Sequence, residues 1–413
     1  MKLLLVLLFL IFNGASQTYA QPGENSGRFW EVQSIDTMKY SRDRSREFLA
    51  NIPGAKEKVV GQISVIADAG ATHVAIGTPY DSEFLPILQL WVQTARDHNL
   101  KVWFRGNWSG WEGWFDYPAI TRQEHLVKTQ VFIQENEDLF QDGDIFTACP
   151  ECENGGAGDP RSETDLLGFR NFLIMEQTML EDEFKKQGKK ITVNFNSMNK
   201  DVAQLVMDEE TTKKLGNIVA IDHYVSSAAQ VAFDSSQLAQ ISGGKIVLSE
   251  FGSPIPDLHG NQTEVEQAQW LDDALLSFVA TPEIVALNYW TSFDGSTALW
   301  KNNGSEKLAA GILKKYYQPQ TVSGYILDEK QNPLQSAEIV SQYRRVFTDQ
   351  SGFFVLPYLF EDESIVVRKR DYQEVGFLIS NVGGKTFTLS LVPENQSLFS
   401  QIFHWLVDAV KFW

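Results

Sequence analysis

From residue 28 to residue 317 the chain repeats one alternation eight times, a short apolar, β-branched run and then a helical pattern. The runs are FWEVQSI, THVAIGT, KVWFRG, GDIFTAC, KITVNFN, NIVAIDHY, KIVLSEFG and EIVALNYW. Helical sequence follows at Tyr40–Ala50, Phe84–His98, Gln123–Leu139 and Glu163–Gln187 and after each later run, and EKLAAGILKKYY closes the series. The runs lack a clean apolar/polar alternation, as expected of strands covered on both faces. Eight such units in about 290 residues predict an α/β fold, a (β/α)8 TIM barrel. A doubly wound open sheet fits less well, because no Gly-rich phosphate turn follows the first run.

After Gln318 the pattern changes. Short alternating strands are broken by KQNP and DQSG turns, which predicts a small all-β sandwich. Its opening resembles carboxypeptidase-regulatory-like modules through Gly324, Asp328, Asn332, Pro333, Leu334, Ala337, Thr348, Asp349, Gly352 and Phe354. The resemblance implies a spacer or adhesive module without chemistry of its own. The expected organisation is a leader at 1–20, a barrel at 21–318, a sandwich at 319–394 and a helix at 395–413.

The leader carries Lys2, the apolar run Leu3–Phe12, and Thr18 and Ala20 before a cleavage point. That is the layout of a secretory signal peptide, too short to span a bilayer. The expected location is therefore secreted, cell-surface or periplasmic. At the other end, Gln401, His404, Asp408 and Lys411 form one polar stripe on an otherwise apolar helix. Such a helix can dock on the protein or lie in a membrane interface. The formal net charge of −18 argues against a nucleic-acid partner, since phosphate binding needs clustered Lys and Arg. The expected state is a monomer.

In a TIM barrel the functional groups stand at the C-terminal ends of the strands. The ends of the predicted strands supply Asp81, Arg105, Glu151, Asn196, Asp222, His223, Tyr224, Glu250 and Trp290. Glu151 and Glu250 each close an apolar run abruptly with a charge, after strands four and seven. Hydrolysis of a glycosidic bond needs two carboxyl groups, one to protonate the leaving oxygen and one to attack the anomeric carbon or activate water. The loop after strand three crowds Trp103, Trp108, Trp111 and Trp114. Indole faces stack on pyranose rings, so Trp108 and Trp111 are expected to bind sugar, and Glu112 among them is expected to be solvated.

This set of strand ends resembles clan A glycoside hydrolases of the cellulase-like superfamily. The resemblance implies Glu151 as acid/base, Glu250 as nucleophile, Tyr224 as hydrogen-bond donor to the nucleophile and Trp290 as floor of the sugar subsite. It implies a retaining mechanism without cofactor or metal, on a poly- or oligosaccharide, with the two carboxyls about 5 Å apart. Two positions depart from the family. Pro150 stands where an Asn precedes the acid/base, leaving that sugar contact to Asn154 or Asn196. Arg105, after strand three, replaces an Arg near strand two and would keep Glu250 ionised if it approaches it. His223 either lines the sugar site or supports it from behind.

Two alternatives stay open at this point. A barrel that binds carbohydrate without turnover would explain Pro150. The pair Cys149 and Cys152, the only cysteines, has the C-x-x-C spacing of redox and half-zinc sites. With no second Cys pair for a four-ligand zinc site, the better reading is an acid-bearing loop held by two cysteines. Glu153 is the reserve acid/base.

Overall fold

The computed structural model describes residues 27–156, 158–162, 165–382 and 386–394. The predicted leader and C-terminal helix lie outside the described residues.

Eight parallel strands form the centre: β1 (Val32–Asp36), β2 (His73–Ile76), β3 (Lys101–Phe104), β4 (Ile145–Phe146), β5 (Ser197–Asn199), β6 (Ile218–Asp222), β7 (Lys245–Phe251) and β8 (Ile284–Tyr289). Their order is β4-β3-β2-β1-β8-β7-β6-β5. The gap between β4 and β5 is bridged by Phe146 N–H donating to Thr192 O at 2.8 Å and Thr192 N–H donating to Asp144 O at 2.9 Å. The sheet thus curls into the expected (β/α)8 barrel.

Inside the barrel, Ala75, Trp103, Ile145, Phe195, Ala220, Val247 and Ala286 form one buried cluster, with Val32 beside it. Trp103 and Phe195 meet edge-on at 5.3 Å, and the three alanines leave room for them. Each such large ring removed from water stabilises the fold by roughly 1.5–3 kcal/mol. The larger core lies between the strands and the surrounding helices.

Local chemistry sets the helix ends. Thr121/Glu124 and Thr263/Glu266 form reciprocal capping boxes, satisfying otherwise orphaned backbone donors. The helical sequence after β1 divides at Asn51, whose side chain accepts from Gly54 N–H, and a second helix, Ile52–Asp68, begins there.

The fifth strand differs from expectation. KITVNFN contributes the bridge at Thr192 and the interior ring of Phe195, but the strand that pairs with β6 is Ser197–Asn199. The run hugs β4 first and only then crosses to β6.

Beyond the barrel, β9 (Gln320–Leu327), β10 (Glu338–Val340), β11 (Arg345–Phe347), β12 (Phe353–Tyr358), β13 (Ser364–Arg368), β14 (Val375–Leu378) and β15 (Phe387–Ser390) form two small sheets, β11-β10-β13-β14 and β12-β9-β15. They share a core that includes Ile326, Ile339, Phe354, Leu356, Ile365 and Val367. The DQSG turn needs its glycine: Gly352 has φ +77°, and a Cβ there would lie 2.5 Å from Ile326 O.

Candidate active site

The C-terminal ends of β1, β3, β4, β7 and β8 open onto a cavity of about 280 Å³, with Asp36, Arg105, Glu112, Trp114, Glu151, Asn154, Glu250 and Trp290 in its wall. A larger cavity of about 440 Å³ beside the helix Ile52–Asp68 contains none of these groups.

Glu250 is the most elaborately held carboxylate in this wall. Tyr224 Oη donates to its Oε2 at 2.8 Å and Arg105 Nη2 to its Oε1 at 2.9 Å. Arg105 also donates to Ser249 O and lies 3.4 Å from Asp222 Oδ2. Asp222 is fully buried and accepts from the hydroxyls of Ser197 and Ser249. One buried guanidinium therefore ties β3 to the ends of β6 and β7. Asp36, at the end of β1, joins the group; burial pushes its carboxyl up to about 6, against the pull of Arg105.

Glu151, in the loop after β4, lines the same cavity as Glu250. Its backbone is left-handed, with φ 48° and ψ 52°, a conformation that costs a non-glycine residue about 1–3 kcal/mol and tends to persist at functional sites. Its N–H donates to Ser197 O at 2.9 Å, which holds the turn in place. The Cys149–Cys152 disulfide closes the loop around Glu151. Behind it, Gly155 and Gly156 lie flat on the Trp111 ring, where a Cβ would come within 2.4 Å and 2.9 Å. Glu153 points the other way: its Oε1 accepts from the backbone N–H and side-chain amide of Asn199, and it is buried. Glu151, not the reserve Glu153, lines the cavity.

Burial first, and Asp222 after it, pushes the Glu151 carboxyl up to about 7. Burial and Asp222 also push Glu250 up, against Arg105, and Glu151 adds to the rise. A proton shared by this pair belongs on Glu151. Glu250 receives two donors that favour its anion, one of them charged, whereas among the described residues Glu151 receives only the Asn154 amide at 3.1 Å.

Arg105 and Trp290 line the cavity, and Tyr224 donates to Glu250 from beside it, with the Trp290 ring edge-on to Tyr224 at 6.0 Å. Four other expected sugar contacts need correction. Asn196 follows the inward-facing Phe195 and so points outward, donating to Gln177 on the helix Leu166–Lys186 at 3.1 Å. His223 follows the inward-facing Asp222 and meets Asp234 Oδ2 at 2.8 Å on the helix Ala228–Ser242. Both follow from the alternation of side chains along a strand. His223 supports the site through its backbone, donating its N–H to Glu250 O at 2.9 Å.

Trp108 and Trp111 are buried, at 6% and 2% exposure. Trp108 donates to Thr129 Oγ1 at 3.0 Å, and Trp111 packs on His125 at 4.3 Å and on Phe172 at 5.5 Å. They anchor the β3 loop to the barrel, and Trp114 is the tryptophan of this loop that reaches the cavity. Glu112, expected in solvent, lines the cavity too. Asp36, which the sequence reading did not name, ends β1 as one more strand-end acid; Glu112 had no signal beyond its place among the tryptophans. Asp81 accepts from Ser109 N–H at 2.8 Å, bracing the same loop. Among the described residues no three His, Cys, Asp or Glu side chains converge as a metal site would require.

No protein-family model matches the sequence, and no curated protein matches it either. Solved structures share the fold. The GH5_18 protein from Streptomyces cattleya, in complex with GlcNAc, has a TM-score of 0.53 at 13% identity, over 72% of this chain and 84% of that one. A GH5_18 from Bifidobacterium longum subsp. infantis has a TM-score of 0.50 at 14% identity, over 73% of this chain and 84% of that one. At these identities the likeness is one of fold.

Proposed function

We propose that the protein is a secreted retaining β-glycosidase acting on a poly- or oligosaccharide, with no cofactor. The observation that carries this reading is the pair Glu151 and Glu250 in one cavity wall, in contrasting environments. Environments that separate the protonation of two carboxyls assign them to acid and nucleophile. Glu151 gives its proton to the glycosidic oxygen as the Glu250 carboxylate attacks the anomeric carbon and the bond to the leaving group breaks. Glu151, now a carboxylate, then takes a proton from water, which displaces Glu250 and releases the sugar. Arg105 and Tyr224 hold Glu250 in line, and Trp290 offers a face for the ring.

The test is mass spectrometry of the mature protein after exposure to a panel of 2-fluoro-glycosides. One adduct on Glu250 is expected. Turnover of natural glycans with no adduct and with inverted product would replace retention by inversion. Specific glycan binding with no turnover would support the carbohydrate-binding alternative, which Pro150 favours.

The pH profile is a second check. Glu151 must carry its proton to act as acid, and it loses that proton as pH rises through about 7. The expected kcat/KM therefore falls about tenfold per pH unit on the alkaline side. A flat profile across that region would remove Glu151 as the acid.

A further inference from the structure

Glu112 takes no part in the chemistry above, yet it is held in the cavity wall from beneath. It ends the short helix Ser109–Glu112 in the β3 loop. Asn107 Nδ2 donates to its Oε1 at 2.5 Å. The Asn107 oxygen already accepts Trp108 N–H at 2.9 Å and lies 3.4 Å from His125 Nε2. The Asn107 amide must therefore turn its NH₂ toward Glu112, which fixes Oε1 of Glu112 as an acceptor. His125 Nδ1 lies 2.9 Å from Glu176 Oε1, and both side chains are buried beneath the Trp111 ring. A polar chain thus runs from His125 through Asn107 to Glu112, with Glu176 packed against its far end. Burying such groups is unfavourable unless they are paired.

The surrounding charges define what can dock there. The cavity wall contains two arginines, and both are engaged. Arg105 serves Glu250 and Asp222. Arg42 pairs with Asp43 through two contacts of 3.1 Å and lies over the Trp114 ring at 5.3 Å. Among the described residues no salt bridge reaches Glu112, and burial pushes its carboxyl up to about 7. A second carboxylate brought to Glu112 would be repelled by the Glu250 carboxylate and by Glu112 in its ionised form; the nearby Lys39 ammonium lies over the Trp290 ring, 5.4 Å from its centre.

Resting on the glycosidase reading of this cleft, we propose that Glu112 is a substrate-binding residue that selects sugars presenting a hydroxyl or ammonium donor and turns away uronic acids. The donor lies on the substrate, and the oxygen of Glu112 not bound to Asn107 accepts it.

The test uses the full mature chain carrying Glu250→Gln, so that glycans are held without turnover. An array of neutral, glucosamine-containing and uronic oligosaccharides is expected to show neutral or amino-sugar glycans retained and uronic ones not. The retained group tells hydroxyl from ammonium as the donor. Adding Glu112→Gln should weaken the best glycan about 10- to 100-fold by calorimetry, the scale of a hydrogen bond to a charged group. Glu112→Asp, which withdraws the carboxyl by one methylene, should weaken it as well if the glutamine form folds poorly. Retention of uronic glycans, retention of none, or an unchanged Kd in the folded variants would overturn the proposal. If the native chain binds the retained glycan but never cleaves it, the glycosidase reading falls while the affinities still judge Glu112.

Discussion

Replacing Glu250 by glutamine is expected to lower kcat by about 10⁴-fold or more, the scale of removing a covalent nucleophile, with fold and sugar binding retained. Glutamine has the same shape. Its oxygen can still accept from Arg105 Nη2, now 2.9 Å from Oε1, and the Tyr224 hydroxyl, now 2.8 Å from Oε2, can turn to accept from the new amide. The Arg105–Asp222 pair beneath is untouched. A loss of 10⁴ corresponds to about 5.4 kcal/mol of transition-state stabilisation, far more than one lost ground-state contact provides. Single-turnover kinetics beside a thermal melt would separate chemistry from folding. Full activity in a folded Glu250→Gln variant would sink the assignment of Glu250, and with it the pairing with Glu151.

Most of the strands were legible because burial writes them into the sequence, and so was the place of Glu151 and Glu250 at one cavity. A strand covered on both faces needs an unbroken apolar run, so a charge closing it marks the barrel mouth, as at Glu250; Glu151 stands in the loop after β4. The β5 strand escaped that logic. Ser197–Asn199 is polar, and its place is set by backbone bonds to β6, which leave no apolar signature. The more apolar KITVNFN supplies Phe195 to the barrel interior and looked like the strand itself. Asn196 and His223 were displaced for a related reason. Reading a strand end identifies which residues are near the mouth, but the inward or outward direction follows from register, here set by Phe195 and Asp222.

The tryptophan loop shows a different limit. An indole can stack on a sugar or on the protein, and composition does not distinguish the two. What separates Trp108 and Trp111 from Trp114 is what lies opposite them. Phe172, His125 and the flat backbone of Gly155 and Gly156 receive Trp111, while Trp114 looks across the cavity. Those partners come from distant parts of the chain, and only the fold brings them together.

Removing the Arg105 guanidinium is expected to damage the fold as well as the activity. Arg105→Met keeps length and apolar bulk but leaves Asp222, with no exposed side-chain surface, paired among the described residues only with the hydroxyls of Ser197 and Ser249. It also takes the charged donor from Glu250. Breaking a buried pair in this way destabilises a protein by about 3–5 kcal/mol, because one charge stays behind uncompensated. That mechanism makes a sharper claim than the loss itself. The double variant Arg105→Met/Asp222→Asn should be more stable than Arg105→Met alone by about 1 kcal/mol or more, since it also removes the stranded charge. Urea unfolding of the native protein, each single variant and the double variant completes the cycle. If the second substitution destabilises the protein further, Arg105 acts there through packing and backbone contacts, and its charge is not what holds β3 to the ends of β6 and β7. Restored stability in the double variant should not restore turnover, because Glu250 would still lack the Arg105 Nη2 donor that positions it, 2.9 Å from Oε1 in the native protein.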